Sequence, residues 1–215
     1  DGELKVSNLS LKREIAELFI QASQEIGIPY NPDCNGEQQE GVGYFQQTSF
    51  KGFRKSSYRS FLNKKIRSRK NLTIVTNTQI SKLIFEDKRV IGVNCIQSYN
   101  QPDKTIYANN EVILSAGAIQ SPQILMLSGI GDPTELKKVG IDVIMDLPGV
   151  GKNLQDHFWS GVSANATMPT GNSLLKPWDM TKALLQYLFF KKGPLGNSPL
   201  EANAFIKSDS ELDKP

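Results

Sequence analysis

The sequence predicts a mixed α/β fold, and three observations carry that prediction. Residues 11–26 place apolar side chains at helical intervals. Residues 71–115 break into five short runs rich in β-branched residues, separated by polar turns. Residues 111–140 then read as strand, tight turn and two capped helices.

The first helix rests on Leu11, Ile15, Leu18, Phe19, Ala22 and Ile26. Ser10 can cap its start by accepting a backbone N–H, Gly27 can take the left-handed stop, and Pro29 blocks continuation. Residues 30–52 are dense in Gly, Pro, Asn and Asp and read as a long irregular segment with room for one short strand. A helix is expected around Ser57 to Leu62.

The five strand runs are NLTIVTN, QISKLIFE, RVIGVNCIQ, KTIYA and EVILSAG. Their close spacing requires hairpin or meander connections, since a parallel crossover needs a dozen residues or more. The continuous apolar run Glu111 to Ser115 suggests a strand buried on both faces, as in a parallel central sheet. Ser121 and Pro122 read as N-cap and first-turn proline of a helix stopped by Gly129; Asp132, Pro133 and Gly140 repeat the device. A strand is expected at Ile141 to Ile144, a helix at 179–190 ended by Gly193-Pro194, and a strand at 200–206.

The bulk properties bound the chemistry. The chain has 215 residues, 39% hydrophobic and 22% charged with net charge +3, too little charge to imply nucleic acid by itself. No apolar run approaches a membrane span. Cys34 and Cys95 are far apart and the histidine is single, which argues against a zinc site and for two ordinary thiols. Three sequons, at Asn8, Asn71 and Asn165, favour a secreted protein only weakly. Residues 51–70 hold nine Lys or Arg and no acid. A solvated basic face is the first reading, and anion binding (nucleic acid or a cofactor phosphate) the second. No nucleic-acid motif accompanies the run.

The unit that carries chemistry is EVILSAGAIQSPQILMLSGIG. Small residues at Ser115, Ala116, Gly117 and Ala118 allow close approach to the backbone, and a helix N-terminus beyond a strand offers free N–H groups to a phosphate or carbonyl. Close strand–helix packing would demand the same small residues.

The stretch GAIQSPQILMLSGIG, residues 117–131, resembles the second signature of the glucose-methanol-choline (GMC) oxidoreductases at every position that defines it. NGEQQEGVGYFQQTSFKGFRKSSYRSFL, RKNLTIVTNTQISKLIFEDKRVIGV, LPGVGKNLQDH and GPLGNSPLEANAF are similar to other parts of that family, so the resemblance covers nearly the whole chain. Its phrasing looks closest to the insect glucose-dehydrogenase-like members, which use FAD and a quinone.

The resemblance implies part of an FAD-binding Rossmann-like domain with a β-meander, followed by the start of a substrate-binding domain. Residues 1–52 would be a cap or substrate-domain-associated segment, 53–157 the FAD-binding portion and 158–215 the substrate-binding beginning. It implies FAD as cofactor, an alcohol or sugar as substrate, and oxygen or a quinone as electron acceptor. The cofactor-binding residues would be Ile80, whose backbone lies where the family contacts adenine, and Ser115, Ala116 and Gly117, where a strand-end turn approaches the dinucleotide. Glu201 stands where many members place an acid lining the active site; a solvent-facing strand residue is the competing reading. The family's glycine fingerprint and its proton-abstracting histidine pair, or histidine–asparagine pair, have no match here, so the chain reads as an internal portion of a longer enzyme without a catalytic residue of its own. His157, beside Asp156, reads better as a structural histidine than as a general base. Trp159, Trp178, Phe189 and Phe190 are expected in core or interface packing. A non-catalytic protein that keeps the family's fold is the alternative to an enzyme.

Overall fold

The computed structural model describes residues 2–96, 104–209 and 211–215. In chain order the elements are β1 (Ser7–Asn8), α1 (Glu14–Glu25), β2 (Gly41–Tyr44), β3 (Gln46–Gln47), β4 (Ser49–Phe50), β5 (Phe53–Arg54), α2 (Ser57–Phe61) and α3 (Lys64–Arg67). Then come β6 (Gln79–Glu86), β7 (Arg89–Ile96), β8 (Lys104–Tyr107), α4 (Gly117–Leu127), β9 (Ile130–Gly131), α5 (Pro133–Lys138), β10 (Met145–Asp146), α6 (Pro177–Phe190) and β11 (Ala202–Phe205). They form two compact units: Asp1–Leu72 with Val162–Pro215, and Thr73–Gly161.

In the first unit, α1 turns Ala16, Ile20 and Ser23 inward against the antiparallel pair β2–β11. That pair brings together segments far apart in sequence, with Ala202 opposite Tyr44 and Phe205 opposite Gly41. Val42 between them is fully buried. Gly43 has to be glycine: a Cβ there would lie 2.1 Å from the Asn31 carbonyl oxygen.

The expected cap on α1 differs. Its N-cap residue is Arg13, not Ser10, whose hydroxyl and amide both donate to Asn197 Oδ1. The buried carboxylate of Glu201 takes the capping role instead, accepting the Arg13 amide at 2.8 Å and pairing with its guanidinium. A cap supplied from so far along the chain leaves no local sequence signal. The stop is as expected, with Gly27 at φ +94°. Residues 30–52 hold more than the single strand expected: β2 and β3 are drawn out by distant partners, β11 and β1, and β4 forms a tight hairpin with β5. Helix α6 ends in a left-handed Lys191, before the Gly193-Pro194 stop the sequence suggests.

In the second unit β6, β7 and β8 form the expected antiparallel meander. Asp87 turns the β6–β7 hairpin at φ +53°, a conformation that Asp tolerates better than most residues. The predicted end of β7 at Gln97 lies outside the described residues. Two predicted strands are absent among the described residues. Residues 71–77 are not paired, and Ile74 and Val75 are about half exposed. Residues 111–115 are in no strand, and Ile113 is 78% exposed rather than buried on both faces. β-Branched side chains favour extended backbone locally, but a ladder needs a neighbour, and none is present among the described residues. The strand expected at 141–144 sits later, at β10, where it runs parallel to β9.

Helix α5 follows the sequence closely. Asp132 Oδ1 accepts the amides of Thr134 and Glu135, Pro133 occupies the first turn, and Gly140 has φ +73°. Helix α4 does not. It begins at Gly117, so Pro122 is inside it and Ser121 is not its N-cap. The Ser121 hydroxyl instead accepts the Ala116 amide at 3.0 Å. The chain can turn this early because Gly117 adopts φ +91°, which a side chain would oppose. Both cysteines are buried free thiols.

Candidate functional site

The start of α4 is left without a cap. Ala116, its N-cap residue, offers no side-chain acceptor. Ser115, Gly117 and Ala118 are exposed, Ala116 is half-buried, and a Cβ built on Gly117 would meet nothing within 4 Å. The first amides of a helix have no partner within it, and here no side chain among the described residues caps them. The helix is 11 residues long, enough to present a sizeable dipole at that end.

The other end of α4 is fixed. Ser128 is buried; its hydroxyl donates to the Ile124 carbonyl at 2.5 Å and accepts the Leu83 amide of β6 at 2.8 Å. This one side chain joins helix and meander. Next to it, Gly129 has φ +81°, and a Cβ there would sit 2.5 Å from the Asp142 carbonyl oxygen. The Gly129 carbonyl accepts the amides of Ile144 and Met145, which folds the β10 segment back beside β9. Serine and glycine at 128–129 therefore have packing reasons that the sequence could not show.

Ile80 lies on β6 opposite Cys95, where the register slips before Lys82. Such a bulge bends a strand and re-aims its backbone, and bulges are common beside functional sites. Because α4 packs on β6, the strand of Ile80 and the helix begun at Gly117 belong to one body. Ile80, Ser115, Ala116 and Gly117 are thus all in the Thr73–Gly161 unit. The exposed small residues and free helix end fit the polar portion of a dinucleotide: a negative group can approach the backbone without displacing a side chain.

Glu201 belongs to the other unit. It is 7% exposed, so it is not a solvent-facing strand residue, and both carboxylate oxygens are engaged by Arg13. Nearby, burial and then the charge of Glu17 push the Tyr44 hydroxyl above its usual range, with Tyr30 and Glu201 adding to it. Lys12 Nζ lies 4.1 Å from the centre of the Tyr44 ring. His157 is exposed and its own amide donates to Asp156 Oδ1, so the side chain is neither packed nor set up as a base. Phe158, Trp159, Trp178, Phe189 and Phe190 are largely exposed, against the expectation of buried packing for the tryptophans and the Phe pair. Among the described residues no group of His, Cys, Asp and Glu could hold a metal ion.

Residues 1–159 match the model of the GMC oxidoreductase family. The chain belongs to the GMC oxidoreductase family. It is 42% identical to an alcohol dehydrogenase [acceptor] of Pseudomonas putida over its whole length, covering 39% of that protein. It is 40% identical to the mitochondrial choline dehydrogenase of Homo sapiens, again over its whole length and 36% of the relative. Among solved structures, an FAD-dependent oxidoreductase from Chaetomium thermophilum superimposes with a TM-score of 0.82 at 29% identity, covering 94% of this chain and 36% of that one. A formate oxidase does so with a TM-score of 0.79 at 26% identity, covering 98% and 38%. The chain thus spans a little over a third of the length of the GMC proteins it matches. The mixed α/β class and the family read from residues 117–131 both stand.

Proposed function

We propose that this chain is part of an FAD-dependent oxidoreductase acting on the CH–OH group of an alcohol. The observation that carries the reading is the N-terminus of α4, open at Gly117 and held rigidly to β6 by Ser128. In this role the amides that begin α4 stabilise negative charge on the dinucleotide, while Ser115, Ala116 and Gly117 keep side chains out of its way. The backbone of Ile80, beside its bulge, takes the adenine. Bound FAD supplies the capacity to accept a hydride from the alcohol carbon; the protein's task is to hold and orient it. Proton removal from the hydroxyl is assigned to no residue of this chain, since His157 is exposed and unsupported. Residues 53–157 serve as the FAD-binding portion, 1–52 as an associated segment and 158–215 as the start of the substrate-binding part.

Alcohol and choline dehydrogenases among the relatives support an alcohol as the first substrate class. A sugar, as in insect glucose-dehydrogenase-like members, rests on sequence phrasing alone. Glu201 lining the active site is the catalytic-side reading, and its pairing with Arg13 favours instead a structural anchor for α1. The test is direct. The full-length protein that contains this chain should purify with a flavin absorbance spectrum that bleaches anaerobically on adding a primary alcohol or choline. Reoxidation by air or only by a quinone then separates the two acceptors. A colourless protein that cannot be loaded with FAD sinks the proposal. A flavin-loaded protein that no alcohol or sugar bleaches would favour the non-catalytic GMC-fold alternative.

A further inference from the structure

Strand β6 carries one residue more than its neighbour requires. Lys82, Leu83 and Ile84 stand opposite Asn94, Val93 and Gly92, whereas Ile80 and Gln79 stand opposite Cys95 and Ile96. Ser81, between the two stretches, has no partner of its own. In a regular antiparallel pair successive residues point their amide and carbonyl alternately at the neighbouring strand and away from it. An inserted residue reverses that phase.

The direction on each side of Ser81 follows from one fixed point. The Leu83 amide donates to the Ser128 hydroxyl, so Leu83 faces away from β7. Its partner Val93 then faces β8, and so does Cys95 two residues on, where the β7–β8 register is unbroken. Ile80, opposite Cys95, therefore also turns its amide and carbonyl away from β7, to the edge that Leu83 shares with α4. If Ser81 were instead paired in turn with Cys95, Ile80 would slip opposite Ile96. Its backbone groups would then be taken up by β7, and its side chain would change face.

The Ser81 hydroxyl opposes such a slip. It donates to the Asn94 carbonyl at 3.2 Å, which ties Ser81 to the residue that already faces Lys82. Asn94 is held in turn from β8, its Oδ1 accepting the Thr105 hydroxyl at 3.0 Å. The bulge is thus fastened across all three strands of the meander. We infer that Ser81 is a positioning residue for the adenine of FAD, selecting the register in which the Ile80 backbone faces outward. This role rests on the proposed adenine contact at Ile80 and adds the device that aims it. A strand residue facing away from its neighbour offers an amide donor beside a carbonyl acceptor. Adenine presents a ring-nitrogen acceptor beside its amino donor, so the two edges are complementary.

FAD affinity and residue-resolved hydrogen exchange of the full-length protein that contains this chain test the role. In the parent, the Ile80 amide should exchange roughly fivefold more slowly, or slower still, with FAD bound than in the apoprotein. Ser81→Ala should weaken FAD about fivefold and speed Ile80 exchange in the loaded protein by a similar factor. The Leu83 amide, held by Ser128 on the same edge, should exchange as in the parent. Ser81→Thr keeps the hydroxyl and should restore both properties. A parent that cannot be loaded with FAD sinks the oxidoreductase reading and this role with it. A loaded parent whose Ile80 amide gains no protection removes the adenine contact, and again this role. A protected parent whose Ser81→Ala variant binds FAD as tightly, or exchanges Ile80 as slowly, overturns the positioning role alone. So does faster exchange at Leu83 as well as Ile80, the mark of a meander loosened throughout.

Discussion

Helices α4 and α5 follow one another in a single compact unit, yet their N-termini are built in opposite ways. Helix α5 is closed by its own sequence: Asp132 accepts two amides and Pro133 removes the need for a third. Helix α4 starts at a left-handed glycine, has no side-chain cap, and its Ser121 hydroxyl accepts an amide from before the helix. Lack of a side-chain cap does not by itself mark a ligand site, since α6 starts without one too; at α4 it coincides with exposed small residues and a left-handed glycine. One left open on a rigid support is available to a ligand. The contrast with α5, together with the small residues, is the reason for proposing this end as the cofactor-facing edge.

The largest effect is expected where the support of α4 is most constrained. Gly129→Ala adds a Cβ at positive φ against the Asp142 carbonyl. It should cost roughly 3 kcal/mol, seen as a lowered denaturant midpoint and release of flavin. If the stability is unchanged, α4 is not held from this end. Ser128→Ala removes the acceptor for the buried Leu83 amide and should cost about 2 kcal/mol. The loss should be accompanied by faster hydrogen exchange at Leu83; unchanged exchange would mean that the helix and the meander are joined by something else.

A smaller, pH-dependent effect is expected at α5. Amides of Glu135 and Thr134 hold the Asp132 carboxyl below its ordinary value of 3.8. A depressed carboxylate stabilises the fold above its unfolded value and loses that contribution as pH falls through the folded one. Asp132→Ala should therefore lower the melting temperature modestly at neutral pH. Its difference from the parent should shrink as the pH falls below the ordinary aspartate range. A difference that persists in acid would assign the effect to side-chain packing instead of charge.

How much of this was legible in the sequence depended on whether the cause was local. The meander, the cap of α5 and the Gly27 stop follow from residues within a few positions, and they appear where the sequence places them. Residues 71–77 and 111–115 carry strand-forming side chains, but pairing depends on a neighbour the local pattern cannot supply. Ser121-Pro122 has the look of a helix start because capping chemistry is short-range, whereas the true start depends on the backbone of Gly117. At the site, the signature identified the family and the open turn. The tie from Ser128 to Leu83 and the capture of Glu201 by Arg13 were out of reach, since each joins segments distant in the chain.

The central claim is that the open end of α4 faces the flavin while the closed end of α5 does not. The most direct test is the FAD affinity of three variants of the flavin-loaded protein, measured by equilibrium dialysis or flavin fluorescence on release. Gly117→Glu places a negative charge where the dinucleotide would approach and should weaken FAD at least tenfold beyond the loss in Gly117→Ala, which carries the same backbone strain at φ +91° without the charge. Asp132→Ala should leave FAD affinity within about twofold. Unchanged flavin affinity in Gly117→Glu, or an equal loss in Gly117→Ala or Asp132→Ala, would contradict the account.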